Sequence, residues 1–133
     1  MWLALVRPDI NFATKEMART VQSPTLEHLA SLKHLLRYLA GTRNYALMRK
    51  PTHVLPKPSV AKTSLEIHTY CDSDWAGCKI TRKSTTGCVT QIMGCTVQHC
   101  SRTQSTVALS STEAETYALG TGTAESLYIK QPT

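Results

Sequence analysis

The sequence predicts an α/β chain of the α+β kind, with a helical front segment, a Pro-rich linker and a strand-and-helix rear. Three observations carry that prediction. Leu26, Leu29, Leu32, Leu36 and Leu39 recur at steps of three and four, the period of one helix face. Residues 65–72 alternate strictly. Leu65, Ile67, Thr69 and Cys71 point one way, and Glu66, His68, Tyr70 and Asp72 point the other, as in a strand. Ser110-Ser111-Thr112-Glu113 matches a capping box that opens a helix, and Thr112 to Glu115 offers the same pattern one register later. The segments are residues 1–48, helical; 49–62, linker; and 63–133, a second domain.

The totals set bounds. The chain has 133 residues, 41% of them apolar, with one Phe and two Trp, so its core is modest. Net charge is +6 and unevenly spread. Residues 1–62 hold ten Lys/Arg against three Asp/Glu, whereas residues 63–133 hold five against six. A basic front suits contact with a polyanion, and equally suits ordinary solvated helix faces. The five cysteines, Cys71, Cys78, Cys88, Cys95 and Cys100, match no zinc or redox spacing, and His99 beside Cys100 has no CxxC to accompany it. Reduced thiols, and hence an intracellular chain, are the expectation. No run reaches the length of a membrane span. The apolar start is cut off by Arg7-Pro8 and lacks the basic leader of a signal peptide.

Taken in order, Arg7-Pro8-Asp9-Ile10 is a helix entry, with Pro near the first position and an acid in the first turn. Ile10, Ala13, Met17 and Val21 continue that helix to Gln22. Ser23 as N-cap and Pro24 as first helical residue open the leucine helix, and Gly41 stops it. Lys33 and Arg37 form a basic stripe one turn apart, suited to phosphates or simply to water. Asn44 to Met48 is a candidate strand. Pro51, Pro56 and Pro58 break any regular element after it.

The strand over 64–72 places Cys71 in the core and leaves Asp72 for chemistry; His68, on the same side as Asp72, is an exposed strand histidine. A loop over 74–84 carries the basic cluster Lys79, Arg82 and Lys83. Thr85–Met93 and Cys95–Ser101 are strands of an antiparallel hairpin turning at Gly94. The last helix carries Ala114, Tyr117, Ala118, Leu119, Leu127 and Ile129, weakened by Gly120 and Gly122.

The acids point to one chemistry. Six of nine lie after residue 62, and four of those six form the pairs Asp72/Asp74 and Glu113/Glu115. Hard divalent cations want oxygen ligands, and two such ions can activate water against a phosphodiester. Asp72 at a strand end and Glu113 at a helix start are the candidates. A helix N-terminus favours the ionised carboxylate that ligation needs. The alternatives stand beside this: Glu113 closing its capping box, and Asp74 and Glu115 as surface acids.

Three segments together resemble the end of the Pol polyprotein of copia-type retrotransposons. Arg7-Pro8-Asp9-Ile10, His28 and Arg37-Tyr38-Leu39-Ala40-Gly41-Thr42 resemble the region after the reverse transcriptase core. Tyr70-Cys71-Asp72-Ser73-Asp74-Trp75-Ala76-Gly77 and Arg82-Lys83-Ser84-Thr85-Thr86-Gly87 resemble the first strands of its ribonuclease H domain. Thr106 to Glu115 resembles the opening of that domain's first helix. The likeness covers nearly the whole chain, in the family's order.

The resemblance implies a ribonuclease H-like mixed sheet with flanking helices, preceded by a helical segment and C-terminally incomplete. It implies cutting of the RNA strand of an RNA–DNA hybrid with Mg²⁺ or Mn²⁺. Asp72 matches the first catalytic and metal-binding aspartate, and Glu113 the catalytic and metal-binding glutamate. Asp74 and Glu115 match frequent family acids without a direct catalytic role. Lys33, Arg37, Arg82 and Lys83 are the expected nucleic-acid contacts. The expected partners are an RNA–DNA hybrid or other nucleic acid and the rest of a Pol polyprotein, with no membrane. The expected setting is cytoplasmic, in a virus-like particle, or nuclear. The family's domain continues past this helix with more strands, another catalytic aspartate and a late acid. The expectation is therefore a fragment that is inactive, or nearly so, by itself; a non-catalytic nucleic-acid-binding remnant is the alternative.

Overall fold

The computed structural model describes residues 2–50 and 66–130. The chain divides into two compact units, Met1–Leu47 and Met48–Thr133. Most of the expected linker, and residues 64 and 65 of the expected strand, lie outside the described residues.

The first unit is helical. Short 3₁₀ turns at Trp2–Leu5 and Pro8–Ile10 lead into α1, Asn11–Arg19, and then α2, Leu26–Gly41. Ile10, only 1% exposed, is the buried anchor of this unit. Helix α1 ends before Val21, which is exposed, so the expected run to Gln22 is cut short.

Helix α2 is capped by Thr25 rather than Ser23. The Thr25 hydroxyl accepts from His28 N at 3.4 Å, and Thr25 N donates to His28 Nδ1 at 3.0 Å. Histidine thus serves where Glu or Gln usually closes a capping box. Three residues on from Ser23 is Leu26, which has no side-chain acceptor to close the box, whereas Thr25 has His28. Gly41 falls inside the helix, and Thr42 is the C-cap. Leu26, Leu29, Leu32 and Leu36 stay exposed, while Leu35 and Leu39 are half-buried. Asn44–Met48 is not a strand. A lone extended segment has no ladder partner for its N–H and C=O groups.

Arg7 ties the start of this unit to the end of α2. Its guanidinium donates to the Asp9 carboxylate at 2.7 Å, to the Thr42 carbonyl at 3.0 Å and to the Thr42 hydroxyl at 2.8 Å. The Tyr38 hydroxyl donates to Asp9 at 2.7 Å. The Arg7 cation lies over the Tyr38 and Tyr45 rings. A cation at a helix C-terminus also complements the dipole.

The Arg7 guanidinium holds the Asp9 carboxyl down at about 2, against the opposing effect of desolvation. The unfolded value is about 3.9. A carboxyl depressed in this way stabilises the fold above its unfolded value and loses that contribution as pH falls through the folded one. Helix signal followed through thermal melts should therefore show a midpoint that drops between about pH 4 and about pH 2. Asp9→Asn should lower the midpoint at neutral pH and flatten that acid limb.

The described residues of the second unit form a three-stranded sheet with a helix on one face. Strands β1, Ile67–Asp74, β2, Thr85–Ile92, and β3, Cys95–Thr103, lie in the order β1-β2-β3, and α3, Ser111–Lys130, follows. Both strand pairs are antiparallel. The expected mixed sheet is therefore all-antiparallel among the described residues. Strands joined by short loops return antiparallel, and a parallel pair needs a long crossover. No described strand follows α3.

The β2–β3 turn is Met93-Gly94, both at positive φ, 52° and 75°. Two such residues match the twist of a two-residue hairpin, and glycine takes that conformation without strain. A bulge at Thr90/Gln91 shifts the register of β3. The alternation along β1 holds: Ile67, Thr69, Cys71 and Ser73 are half-buried, and His68, Tyr70, Asp72 and Asp74 are exposed.

Helix α3 packs through small residues. Ala114, Ala118 and Gly122, four apart, are its buried positions. A Cβ placed on Gly122 would lie 2.0 Å from Cys71 Sγ, so the helix backbone rests directly on β1. The core between them is small and hydroxyl-rich. Thr69 bridges to Thr90 at 3.1 Å and to Ser126 at 2.6 Å, which satisfies hydroxyls that burial would otherwise leave unpaired. This packing suits a chain with few aromatics.

Candidate carboxylate site

Asp72 and Asp74 lie at the end of β1, and Glu113 and Glu115 in the first turns of α3. Two contacts bring those ends together. Trp75 Nε1 donates to the Ala108 carbonyl at 3.1 Å, and the Ser73 hydroxyl donates to Glu115 Oε1 at 2.9 Å. The first anchors the loop before α3, and the second its opening turn.

Asp72 stands on the exposed face of β1 opposite Gly87, whose missing side chain leaves the space beside it open. Asp74, on the same face, folds its carboxylate against Gly77, where a Cβ would meet Asp74 Oδ2 at 1.8 Å. His68 pairs with Glu66 at 2.9 Å and stacks on Tyr70, so it remains an exposed strand histidine.

The two glutamates have different jobs. Glu113 Oε2 accepts from Leu109 N at 2.7 Å, and Oε1 accepts from the Tyr117 hydroxyl at 3.2 Å. Glu113 N donates to the Ser110 hydroxyl at 3.1 Å. Glu113 therefore closes a cap, reaching one residue further back than a standard capping box. Glu115 is the acid that reaches β1. At roughly 100° per residue, Glu115 lies about 20° from Gly122 around the helix and Glu113 about 180° from it. The spacing of Ala114, Ala118 and Gly122 is the trace of this facing in the sequence, but its low hydrophobic contrast does not fix the helix's rotation.

A hard divalent cation takes about six oxygen ligands, several of them carboxylates. Among the described residues, no group of three or more His, Cys, Asp or Glu side chains could hold a metal ion. Asp72 rises from the exposed face of β1, while Ser73 and Glu115 meet on the helix-covered face. The described residues do not fit a complete Mg²⁺ or Mn²⁺ site.

The basic residues fall in separate places. Lys33 and Arg37 are exposed one turn apart on α2 in the first unit. Arg82 and Lys83 are in the β1–β2 loop of the second. Arg82 is exposed at φ 57° and donates its N–H to the Cys78 carbonyl at 2.7 Å, and Lys83 is half-buried. No described helix is long and apolar enough to cross a membrane.

The chain has clear relatives. The retrovirus-related Pol polyprotein from transposon RE1 of Arabidopsis thaliana is 36% identical over 128 residues, 96% of this chain. The mitochondrial protein AtMg00810 of the same plant is 40% identical over 126 residues, 93% of the chain. This chain belongs to the Pol polyprotein family of copia-type retrotransposons. It spans 8% of the RE1 polyprotein and 48% of AtMg00810. The secreted RxLR effector protein 161 of Plasmopara viticola is also similar, at 36% identity over 97% of this chain and 84% of its own length. No family model and no solved structure matches the chain.

Proposed function

We propose that the chain is the junction between a reverse transcriptase region and a ribonuclease H-type domain, with no nuclease activity of its own. Membership in the Pol family supports the ancestry. The observation that carries the reading is the meeting of β1 and α3 at Ser73 and Glu115, one residue from Asp72. Asp72 is the strand carboxylate of this site. Glu115, not Glu113, is its helix counterpart, because Glu113 is held in its cap. Asp72 and Glu115 project on opposite sides of the sheet, so among the described residues they do not converge on one Mg²⁺ or Mn²⁺ ion.

The purified chain, incubated with a labelled RNA–DNA hybrid and Mg²⁺, should release no product above the no-protein control. Asp72→Asn and Glu115→Gln should change nothing. Robust cutting abolished by Asp72→Asn would overturn the reading of inactivity.

Binding without cutting is the second reading, favoured by the exposed Lys33 and Arg37 on α2. The same hybrid should then bind with a steep salt dependence. Removing both charges would flatten the slope of log K against log salt by about 2. No binding near physiological salt would remove this reading.

A further inference from the structure

Three of the five cysteines lie in one row across the sheet. Cys71 of β1 faces Cys88 of β2, which faces Cys100 of β3. All five cysteines are reduced thiols in the structure. The row is on the side that α3 covers, since Cys71 Sγ lies under Gly122. Cys88 is only 3% exposed, and Cys71 and Cys100 are half-buried. The three thiols are close enough to interact, Cys88 with both neighbours.

The two facing pairs are not equivalent. Met93 N donates to the Glu66 carbonyl at 3.0 Å, which marks residues 66 and 93 as a hydrogen-bonded pair of the β1–β2 ladder. Such pairs alternate along an antiparallel ladder. Counting inward through the register, Cys71 and Cys88 are a non-hydrogen-bonded pair. In that arrangement the Cα atoms are about 4.5 Å apart and the side chains closest. The backbone N–H and C=O of Cys88 then point toward β3, which makes Cys88 and Cys100 the wider kind of pair, about 5.5 Å. Both spacings fall in the range a disulfide spans, roughly 4.4–6.8 Å. The first brings the sulfurs nearer.

We propose that Cys71 and Cys88 form a redox pair that closes as a cross-strand disulfide under peroxide, fastening the edge strand β1 to β2. The steps balance. The Cys71 sulfur attacks the O–O bond of hydrogen peroxide, giving Cys71–SOH and water. The Cys88 sulfur then attacks the Cys71 sulfur, forming the S–S bond and releasing the hydroxyl as a second water with the Cys88 proton. Two thiols lose two electrons, and the peroxide gains them. Cys71 goes first because it sits on the edge strand and is the more exposed of the two. Cys88 can bond only one neighbour at a time. Cys100 therefore stays reduced and is left next to the new disulfide. The strand being fastened carries Asp72, the residue after Cys71.

The test treats the whole chain with hydrogen peroxide, blocks remaining thiols by alkylation, and reads intact mass and cross-linked peptides. The expected result is a monomer that carries three alkyl groups and is otherwise lighter by two hydrogens, with one peptide pair joining Cys71 to Cys88, restored by a thiol reductant. Cys100→Ala should keep the cross-link, and Cys71→Ser should abolish it. The Cys71→Ser variant is the primary control because Cys71 is less buried than Cys88 and its loss disturbs the core less. The oxidised chain should also melt at a higher temperature than the reduced one. Cross-links only between chains, a bond that uses Cys78 or Cys95 instead, or sulfinic acid on Cys71 with Cys88 unchanged would each overturn the proposal.

Discussion

Gly122→Ala should destabilise the second unit by about 1–3 kcal/mol, although the same change in an open helix is stabilising. The added Cβ would lie 2.0 Å from Cys71 Sγ and 3.1 Å from Thr69 Cγ2. Cysteine has a single side-chain torsion with which to escape, and Cys88 stands beside it. Either α3 moves off the sheet or the Cys71 rotamer is forced. Lifting the helix would also strain the Ser126–Thr69 and Glu115–Ser73 bonds that flank the contact. In a unit of this size the loss corresponds to a fall of roughly 5–20 °C in melting temperature.

Gly120→Ala supplies the comparison. Nothing lies within 4 Å of a Cβ there, so it should gain about 1 kcal/mol from helix propensity alone. Adding Cys71→Ala to Gly122→Ala should recover part of the loss, and urea melts of the parent, Cys71→Ala, Gly122→Ala and the double variant give the coupling directly. If Gly122→Ala melts at or above the parent, α3 does not rest on Cys71.

Gln104→Ala should cost about 2–4 kcal/mol. Gln104 is 8% exposed and joins three elements. Its Nε2 donates to the Thr86 hydroxyl at 3.1 Å and to the Ala114 carbonyl at 2.9 Å, and its backbone N donates to the Ser84 carbonyl at 2.9 Å. Truncation leaves a void against the first turns of α3 and removes a donor from Thr86, itself 2% exposed. The amide orientation is physically constrained: the flipped form would set Oε1 against the Ala114 carbonyl.

The remaining atom, Oε1, is buried without a hydrogen-bond partner among the described residues. That orphan makes Gln104→Met informative. Methionine fills similar volume and removes the unpaired acceptor along with the donor. It should cost clearly less than alanine in a denaturant melt. Equal losses for the two variants would mean that the donated hydrogen bonds, not packing, carry the effect.

Much of the fold was legible because strand and hairpin signals are local. The period of two along 65–72 placed Cys71 inward and Asp72 outward, and a one-residue error would have reversed both. Gly94 marked the hairpin turn because positive φ suits glycine. The leucine repeat located α2, but not its cap. Ser23 and Thr25 are both good cap residues, and the choice went to the one whose partner three residues on, His28, could return a hydrogen bond. Asn44–Met48 had the composition of a strand and no partner to pair with.

The candidate site was legible in its acids and illegible in their facing. By itself the amino-acid sequence determined the helix and strand segments, the alternation that exposes Asp72, and the membership of the Pol family. Only the tertiary structure decided that Glu115 faces β1 while Glu113 caps its own helix, and that Cys71, Cys88 and Cys100 share a row. The physical reason is rotational phase and register. An Ala/Gly stripe has little hydrophobic contrast to fix a helix's rotation in advance, and residues on separate strands become neighbours only when the ladder, with its bulge at Thr90/Gln91, sets them side by side.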